Sequence, residues 1–329
     1  MSKLDDLSAW KVFLSLSRTR NLSTTAAEFD VEVSTISRAI GSLEKALGHG
    51  LIERNTRPLK LTEAGRHAAE MMNPILDMHA EVVQELLSKN TSLSGRIRIS
   101  HAQGFVEKYM MPMILEFNSM YPDISFEVVG NGSLTDVLEY RADMAIISFP
   151  TEQSRANADH SLFMLSRGRN VYVPIASPKY IEQFGMPIHP RDLKNHTVFL
   201  YDGNVRTSTK ELCDDDGNAE PVVWNRVLRI GNILGIKKAV MDGLGVSIDM
   251  PLFHCYKEIT EGTLIPVLPG WAHTPVECYV VLFKSNWNIR RHRIFAEWYS
   301  KRLKKFFDGT EEIVRPYWTP PVRTVQSQS

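Results

Sequence analysis

Residues 21–65 read NLSTTAAEFDVEVSTISRAIGSLEKALGHGLIERNTRPLKLTEAG, and this stretch decides the fold of the N-terminal part of the chain. Hydroxyl side chains at 23–25 are typical of a helix start, and the short helix that they open is broken at 30–31. A second helix is predicted by apolar residues at three- and four-residue steps before a stop at Gly48, namely Val33, Ile36, Ile40, Leu43 and Leu47. Two short helices joined by a tight turn indicate a helix-turn-helix, whose second helix lies in the major groove of DNA.

The segments on either side complete a winged domain over residues 1–65. Residues 51–54 and 59–61 read as two short strands around the turn at 55–58. Before the helix-turn-helix, a first helix over 6–19 carries an inward stripe of Leu7, Trp10, Phe13 and Leu14. The sequence therefore predicts a helix-rich, winged helix-turn-helix domain that reads DNA.

These residues resemble the LysR-type transcriptional regulators. The resemblance is carried, in this order and spacing, by Ala26-Ala27, Ser34–Ile40, Leu43-Glu44, Leu51–Arg54 and Leu61–Gly65. Two positions depart from the usual pattern, since Ser34 stands where many members carry proline and Ile52 where phenylalanine is common. The resemblance implies a winged helix-turn-helix, a linker helix through which chains dimerise, and a two-lobed effector domain similar to periplasmic binding proteins.

A long linker helix is predicted over residues 66–90. Its apolar side chains alternate steps of four and three residues, which is the a/d seam of a coiled coil. About 25 residues at about 1.5 Å each make a rod of roughly 38 Å, and nothing local covers its seam. We therefore expect a second copy of the chain to pack on the seam residues Ala68, Met72, Ile75, His79, Val82 and Leu86.

From 91 to 308 strands alternate with helices, which predicts parallel sheets covered by helices and an α/β fold class overall. The resemblance implies that the first lobe comprises about 92–167 and 272–308 and the second lobe about 168–271. Residues 309–329 contain three prolines and end in a polar run, so we expect a flexible tail there.

Composition is consistent with a regulator. The chain has 329 residues, 43% of them hydrophobic, with 38 basic and 38 acidic side chains. A formal charge of zero argues against non-specific coating of nucleic acid, which depends on basic surface. Residues 1–66 hold ten basic and eight acidic side chains, so the position of each charge must decide DNA binding. With no signal peptide, no membrane-spanning run and only three cysteines, we expect a cytoplasmic, reduced protein.

DNA contacts are expected from three parts of the winged domain. An exposed arginine on the second helix would suit guanine, because its fork donates two hydrogen bonds. Hydroxyls and backbone N–H groups at a helix start suit a phosphate, and basic wing residues suit the backbone or minor groove. The alternative for Arg54 is an ion pair with Glu53 or Glu63. The candidates are Ser23, Thr24, Val33, Ser34, Ser37, Arg38, Ser42, Arg54, Arg57 and Lys60.

Effector contacts are expected at the carboxyl ends of strands, in the crevice between the lobes. The alternative is that these polar side chains only cap neighbouring helices. Hydroxyls, an amide and an imidazole there favour a small polar or carboxylate-bearing molecule. The candidates are Ser100, His101, Gln103, Ser133, Ser148, Phe149, Tyr201 and Asn204.

No catalytic, cofactor or metal-binding motif is found, so an enzyme is the disfavoured alternative class. A redox-sensing regulator is a second alternative: Leu200–Gly203 resembles the segment before the reactive cysteine of peroxide sensors, but Val205 occupies that position. A regulator without a ligand is the third. We predict a LysR-type regulator that binds an imperfect palindrome in double-stranded DNA as a dimer or tetramer and contacts RNA polymerase.

Overall fold

The N-terminal domain has three helices and a two-stranded wing. The computed structural model describes residues 4, 6–53, 56, 58–87, 93–130, 132–149, 161–203 and 208–321. The elements of this domain are α1 (Leu7–Thr19), α2 (Leu22–Glu28), α3 (Val33–Leu47), β1 (Ile52–Glu53) and β2 (Lys60–Leu61).

Local side-chain chemistry fixes where these helices begin and end. The carboxylate of Asp6 accepts from the N–H of Ser8 at the start of α1, and Gly48 ends α3 with φ at 73°. Glu44 of α3 accepts from the backbone N–H groups of Leu51 and Ile52, at 2.9 and 3.2 Å. The Glu44 carboxylate therefore holds the wing against α3. This gives Glu44, in the Leu43-Glu44 pair, a structural role.

A single helix, α4 (Glu63–Leu87), follows the wing. It begins three residues earlier than the predicted linker, and Pro74 lies inside it. Ala69 and Leu76 of α4 are buried in the same cluster as Phe13 and Leu16 of α1. The first half of the linker is therefore part of the winged domain's own core.

The first lobe contains a five-stranded sheet in the order β4-β3-β5-β14-β6, in which β14 (Val276–Phe283) comes from much later in the chain. Strand β3 is parallel to β4 and β5, whereas β14 is antiparallel to both β5 and β6. A π-helical turn, Val106–Met110, lies between two of its helices. The elements are β3 (Gly95–Ser100), α5 (Gln103–Phe105), α6 (Met111–Met120), β4 (Ile124–Val129), α7 (Leu134–Leu138), β5 (Met144–Phe149) and β6 (Leu162–Asn170).

The second lobe contains a five-stranded sheet in the order β11-β8-β12-β7-β13, with a separate pair β9-β10. A 3-10 helix, Pro190–Asn195, precedes β8. The elements are β7 (Tyr172–Ala176), α8 (Pro178–Phe184), β8 (Thr197–Tyr201), β9 (Glu211–Cys213), β10 (Ala219–Pro221), β11 (Arg226–Ile230), α9 (Ile233–Met241), β12 (Val246–Pro251), α10 (Leu252–Thr260) and β13 (Ile265–Pro266).

The chain crosses between the two sheets twice. It leaves the first lobe between β6 and β7, at Val171, and returns in β14 (Val276–Phe283). The crossings lie three to four residues later than the boundaries that the family resemblance implied, because β6 stays paired with β14 as far as Asn170. Two helices of the first lobe follow, α11 (Lys284–Trp287) and α12 (Arg290–Val314).

The expected flexible tail is wrong for residues 309–321. Helix α12 continues to Val314, and Val314 and Trp318 are buried in a core cluster of the second lobe. Arg169 also pairs with Glu311 at 2.8 Å. The composition of this segment suggested disorder. Burial of the apolar surface of Val314 and Trp318 instead gives it a fixed position. Residues 322–329 lie outside the described residues.

The winged domain docks on the first lobe. Arg20 lies 3.7 Å from Glu139, and Asp77 of α4 pairs with Arg291 of α12 at 3.0 Å. Apolar residues of both parts, including Tyr140 and Ile147, belong to one buried cluster. None of the described helices is long and apolar enough to cross a membrane.

Candidate functional site

The outer face of α3 carries the predicted base-reading residues. Val33, Ser34 and Arg38 are exposed, whereas Ser37 and Ser42 are half-buried. Arg38 folds back on its own helix, where Nε donates to the carbonyl oxygen of Ser34 at 3.2 Å. The guanidinium lies on the solvent side of α3, and within the described part of the chain it bonds only to its own helix turn, an arrangement that is free to exchange for a base edge.

Thr35 is exposed on the same face of α3 and was missed by the sequence analysis. The predicted apolar stripe began at Val33, but Val33 is exposed and the buried stripe begins at Ile36. Thr35 lies about 100° around the helix from the buried Ile36, so the helical phase could have shown that its side chain points outward.

The start of α2 is capped by Asn21 rather than by the predicted hydroxyls. The side-chain oxygen of Asn21 accepts from the N–H groups of Ser23 at 2.8 Å and Thr24 at 3.1 Å. These N–H groups are therefore occupied, and the expectation that they hold a phosphate is wrong. The side chains of Ser23 and Thr24 stay exposed, so their hydroxyls remain available.

The wing presents Lys60, which is exposed on β2. Arg54 and Arg57 lie outside the described residues, so their predicted DNA contacts stay predictions. Lys60 lies opposite Glu53 in the antiparallel pairing of the two wing strands.

Helix α4 presents an outer stripe of Met71, Ile75, Met78 and Val82, each between 49% and 53% exposed. Ile75 and Val82 were predicted for the seam, and the two methionines were not. Ala68 and Met72 instead pack on the core of the winged domain, and His79 is exposed. The predicted seam mixed residues of two faces of α4. One face is covered by α1, and periodicity alone does not distinguish that face from the outer one. The side chain of Leu86 is not among the side chains that the structure describes.

A cleft of about 240 Å³ lies between the lobes. It is bounded by the loop after β3, by α5 and β5 of the first lobe, by β6 at the crossing, and by β8, α9 and α10 of the second lobe. Polar and aromatic side chains line it together, including His101, Gln103, Phe105, Ser148, Arg167, Asn170, Tyr172, Tyr201, Asn232, Phe253 and His254.

Four of the predicted effector residues line this cleft: His101, Gln103, Ser148 and Tyr201. Three do not, and each has a structural task. Ser100 is fully buried, donates to Asp136 at 2.5 Å and accepts from the N–H of Gly132 at 2.9 Å.

Ser133 caps α7 by accepting from the N–H of Thr135, and Phe149 packs against Tyr279 with ring centroids 5.7 Å apart. The capping alternative was therefore correct for Ser133. A single residue shift along a strand reverses the face of its side chain, which explains why Phe149 points into the core while Ser148 lines the cleft. Asn204 lies outside the described residues.

Two further residues line the cleft and were not among the predicted effector contacts: Arg167 and Asn170, on the crossing strand β6. Two residues of β6, Arg167 and Gly168, lie opposite the single residue Cys278 of β14, and Gly168 has φ at 90°. Such a bulge re-aims the side chain that it carries. The available signal was a basic residue followed directly by glycine, after an apolar run, but nothing local showed that a bulge would turn Arg167 into the cleft.

Both imidazoles of the cleft are held neutral. Burial, reinforced by the Arg167 guanidinium, lowers the pKa of His101 well below its ordinary value. Burial and the nearby cations of Lys108 and Lys237 lower the pKa of His254 to about 3. At neutral pH these rings therefore offer hydrogen bonds and stacking surface rather than charge.

Asp77, Asp143 and His292 come close enough together to share a metal ion. Asp143 is already paired with Arg98, and Asp77 with Arg291. The two guanidiniums balance the charges of the two carboxylates, so we assign no metal ion to this cluster.

The three cysteines, Cys213, Cys255 and Cys278, are buried and free. Burial raises the pKa of the Cys255 thiol above its ordinary value. A buried thiol that stays protonated is a poor nucleophile, which weakens the redox-sensing alternative.

Comparison with known proteins places these sites in a family context. A model of the bacterial regulatory helix-turn-helix protein, lysR family, matches residues 7–66, and a model of the LysR substrate binding domain matches residues 90–304. The uncharacterized HTH-type transcriptional regulator YhjC of Escherichia coli (strain K12) is 26% identical over 308 residues, covering 93% of this chain and 100% of YhjC.

The HTH-type transcriptional regulator CrgA of Neisseria meningitidis serogroup C (strain 8013) is 27% identical over 293 residues, covering 89% of this chain and 95% of CrgA. The full-length structure of the Vibrio cholerae virulence activator AphB, a member of the LTTR protein family, matches with a TM-score of 0.53 and 25% identity. That match covers 89% of this chain and 98% of AphB.

Proposed function

The chain belongs to the LysR family of DNA-binding transcriptional regulators, which are not enzymes, and we propose that a small effector held between its two lobes controls how it binds its operator. The effector is polar or carries a carboxylate. The observation that carries this proposal is the cleft, because side chains of both lobes and of the crossing strand converge on it. A ligand that contacts both lobes shifts their equilibrium by its differential affinity for the closed arrangement.

The operator is an imperfect palindrome read by two copies of α3. Arg38 and the hydroxyls of Ser34 and Thr35 reach base edges, while Lys60 and the hydroxyls of Ser23 and Thr24 contact the backbone. The bound regulator contacts RNA polymerase, and effector binding changes that contact or the bend of the DNA.

Two substitutions should separate DNA reading from effector response. Arg38→Ala should lose about 1–3 kcal/mol of specific operator affinity and relax the base preference at one half-site position, because a bidentate base contact is removed. Gln103→Ala should leave operator affinity unchanged and weaken the response to inducer, because Gln103 is exposed at the cleft and far from α3 in sequence and fold. Titration over single-base operator variants, beside reporter induction, measures both.

Arg302→Ala is the matched control, since Arg302 pairs with Glu116 on the first lobe at 2.8 Å. It should change neither readout. A uniform loss of affinity in Arg38→Ala over all operator variants would assign Arg38 to the phosphate backbone instead. Parent-like induction in Gln103→Ala would remove Gln103 from the effector site.

The outer stripe of α4 is the proposed dimer contact. Replacing both Ile75 and Val82 with glutamate should convert the dimer to monomers at low micromolar concentration, because charges buried at the interface cost several kcal/mol unless the helices separate. Each side chain is about half exposed in one chain, so the fold of the single chain should survive. Sedimentation velocity gives the oligomeric state, and circular dichroism checks the fold.

The control places glutamates at Ile188 and Val223, which are exposed apolar residues of the second lobe. That variant should remain a dimer. If the α4 variant also remains a dimer, contacts between effector domains hold the subunits together and the outer stripe is not the interface.

A further inference from the structure

Four cationic side chains are at least nine-tenths buried among the residues that the structure describes. Arg98, Arg167, Lys237 and Arg291 are exposed by 6%, 3%, 7% and 4%. Three of them have a carboxylate partner: Arg98 pairs with Asp143, Lys237 with Glu258, and Arg291 with Asp77. Arg167 has none within the described chain. A buried charge without a counterion is strongly unfavourable, so this position would be stabilised by an anion that the described residues do not supply.

The guanidinium of Arg167 is held in place and yet has free hydrogen-bonding capacity. Its Cζ lies 4.2 Å from the ring centroid of Phe307, and Nη1 donates to the side-chain oxygen of Asn170 at 3.2 Å. Its Nε is buried and makes no hydrogen bond. The β6 bulge turns this side chain to the cleft, where it contributes to the wall between the lobes. A fixed guanidinium with unused donors is suited to a carboxylate, which accepts two parallel N–H bonds.

Aromatic rings form much of the remaining lining of the cleft. The ring of His101 stacks on Phe105 with centroids 4.4 Å apart, and Phe105 meets Phe253 edge-to-face at 5.7 Å. Tyr172 and Tyr201 add two further rings to the lining. Both imidazoles are neutral, so Arg167 is the single cation at neutral pH among the described residues that line the cleft, and Glu107 is a carboxylate on its exposed side. One positive charge among aromatic rings complements one negative charge on an aromatic body.

We propose that the effector is a small aromatic monocarboxylate whose carboxylate pairs with Arg167 at the crossing strand. This rests on the proposed effector cleft and specifies the ligand that the cleft accepts. The cavity, at about 240 Å³, is smaller than the roughly 300–1,000 Å³ typical of sites for drug-sized ligands, so a single ring fits better than a fused system. A second carboxylate would find no further cation among the described lining residues and would be repelled by Glu107.

The first test compares matched acids and amides on the purified full-length chain. Benzoate and phenylacetate should bind at least about 30-fold more tightly than benzamide and phenylacetamide in calorimetric titrations, because the neutral amides leave the buried cation unpaired. This comparison uses the parent protein and does not depend on any variant folding. Equal affinities for acid and amide, or no binding of either acid, would overturn the proposal.

The second test replaces the cation. Arg167→Met should abolish the acid preference, so that acids and amides bind alike. Its melting temperature without ligand should equal or exceed that of the parent, because an uncompensated buried charge is removed. Arg98→Met is the matched control. It leaves Asp143 buried without its partner and should lower the melting temperature by about 5 °C or more.

A third variant distinguishes failure of this proposal from failure of the cleft itself. Gln103→Trp places a bulky ring at the exposed side of the cleft and should weaken binding of all four probes. If Arg167→Met keeps the acid preference, or melts as low as Arg98→Met, the role of Arg167 is overturned. If the role of Arg167 is overturned but Gln103→Trp still weakens binding of the probes, the ligand does bind in the cleft and contacts a residue other than Arg167. If neither variant alters acid binding, both proposals fail.

Discussion

Gly65→Ala is expected to destabilise the DNA-binding domain by about 3 kcal/mol or more, an effect at or above the upper end of ordinary overpacking. A Cβ at Gly65 would lie 2.0 Å from the carbonyl oxygen of Leu51 and 2.9 Å from its carbonyl carbon. That oxygen also accepts the N–H of Thr62 at 3.1 Å, so the backbone on which it sits is already fixed. Alanine is better than glycine in a helix by only about 1 kcal/mol, so the clash decides the sign.

Gly50→Ala is the matched control in the same domain. The nearest atom to a Cβ there is Oε1 of Glu44 at 4.0 Å, which is ordinary contact. This variant should change the free energy of unfolding by no more than about 0.5 kcal/mol. Urea unfolding followed by circular dichroism, with operator affinity at the same temperature, measures both variants. Equal unfolding midpoints for the two would show that Leu51 moves away and that the close approach is not required.

Acidification is expected to lower the stability of the whole protein steeply below pH 6.5. Three of the buried histidines, His101, His254 and His292, contribute most. Burial lowers the pKa of all three, to about 3 for His254 and to about 4 for His292. In the unfolded chain each titrates near 6.5, so between about pH 4 and 6.5 the unfolded state binds more protons. Stability is therefore greatest above 6.5 and falls as the pH falls.

The size of the effect follows from the number of protons. Each histidine contributes about 1.4 kcal/mol per pH unit below 6.5, so three together contribute about 4 kcal/mol per unit. The neighbours of His101 and His254 are cations, which oppose protonation further. His292 faces Asp143, which favours protonation, but Arg98 and Arg291 lie beside it and burial dominates.

Asp143 acts in a lower pH range. Although burial opposes it, the charge of Arg98 holds the pKa of this carboxyl well below its usual range. Its contribution is present above the unfolded value of about 3.9 and is lost as the pH falls below that value. Asp143 therefore contributes little to the losses between pH 6.5 and 4.

Unfolding midpoints in urea at pH 7.5, 6.5 and 5.5 test this expectation. His292→Gln should reduce the pH dependence by about one proton, whereas His79→Gln, at an exposed position of α4, should leave it unchanged. A midpoint that does not move between pH 7.5 and 5.5 would mean that the buried rings are already protonated or become exposed.

The sequence by itself determined the DNA-binding end, because the interactions that define it are local. Helix periodicity, the stop at Gly48 and the turn before β2 act over a few residues each, and all are visible in one stretch. The alternation of strands and helices likewise predicted two sheets, and the strand-end rule found His101, Gln103, Ser148 and Tyr201. Parallel strands place their carboxyl ends at one edge, so this rule needs no knowledge of distant contacts.

Tertiary structure alone decided the remaining features, because they depend on residues far apart in the chain. Arg167 faces the cleft only because β6 pairs with β14, more than a hundred residues later, with a bulge at that point. The outer stripe of α4 became distinct from its inner face only when α1 packed on the helix. Trp318 is ordered because the core of the second lobe buries its ring. Periodicity and composition record which side chains are apolar or charged, whereas pairing and packing over long distances decide what those side chains contact.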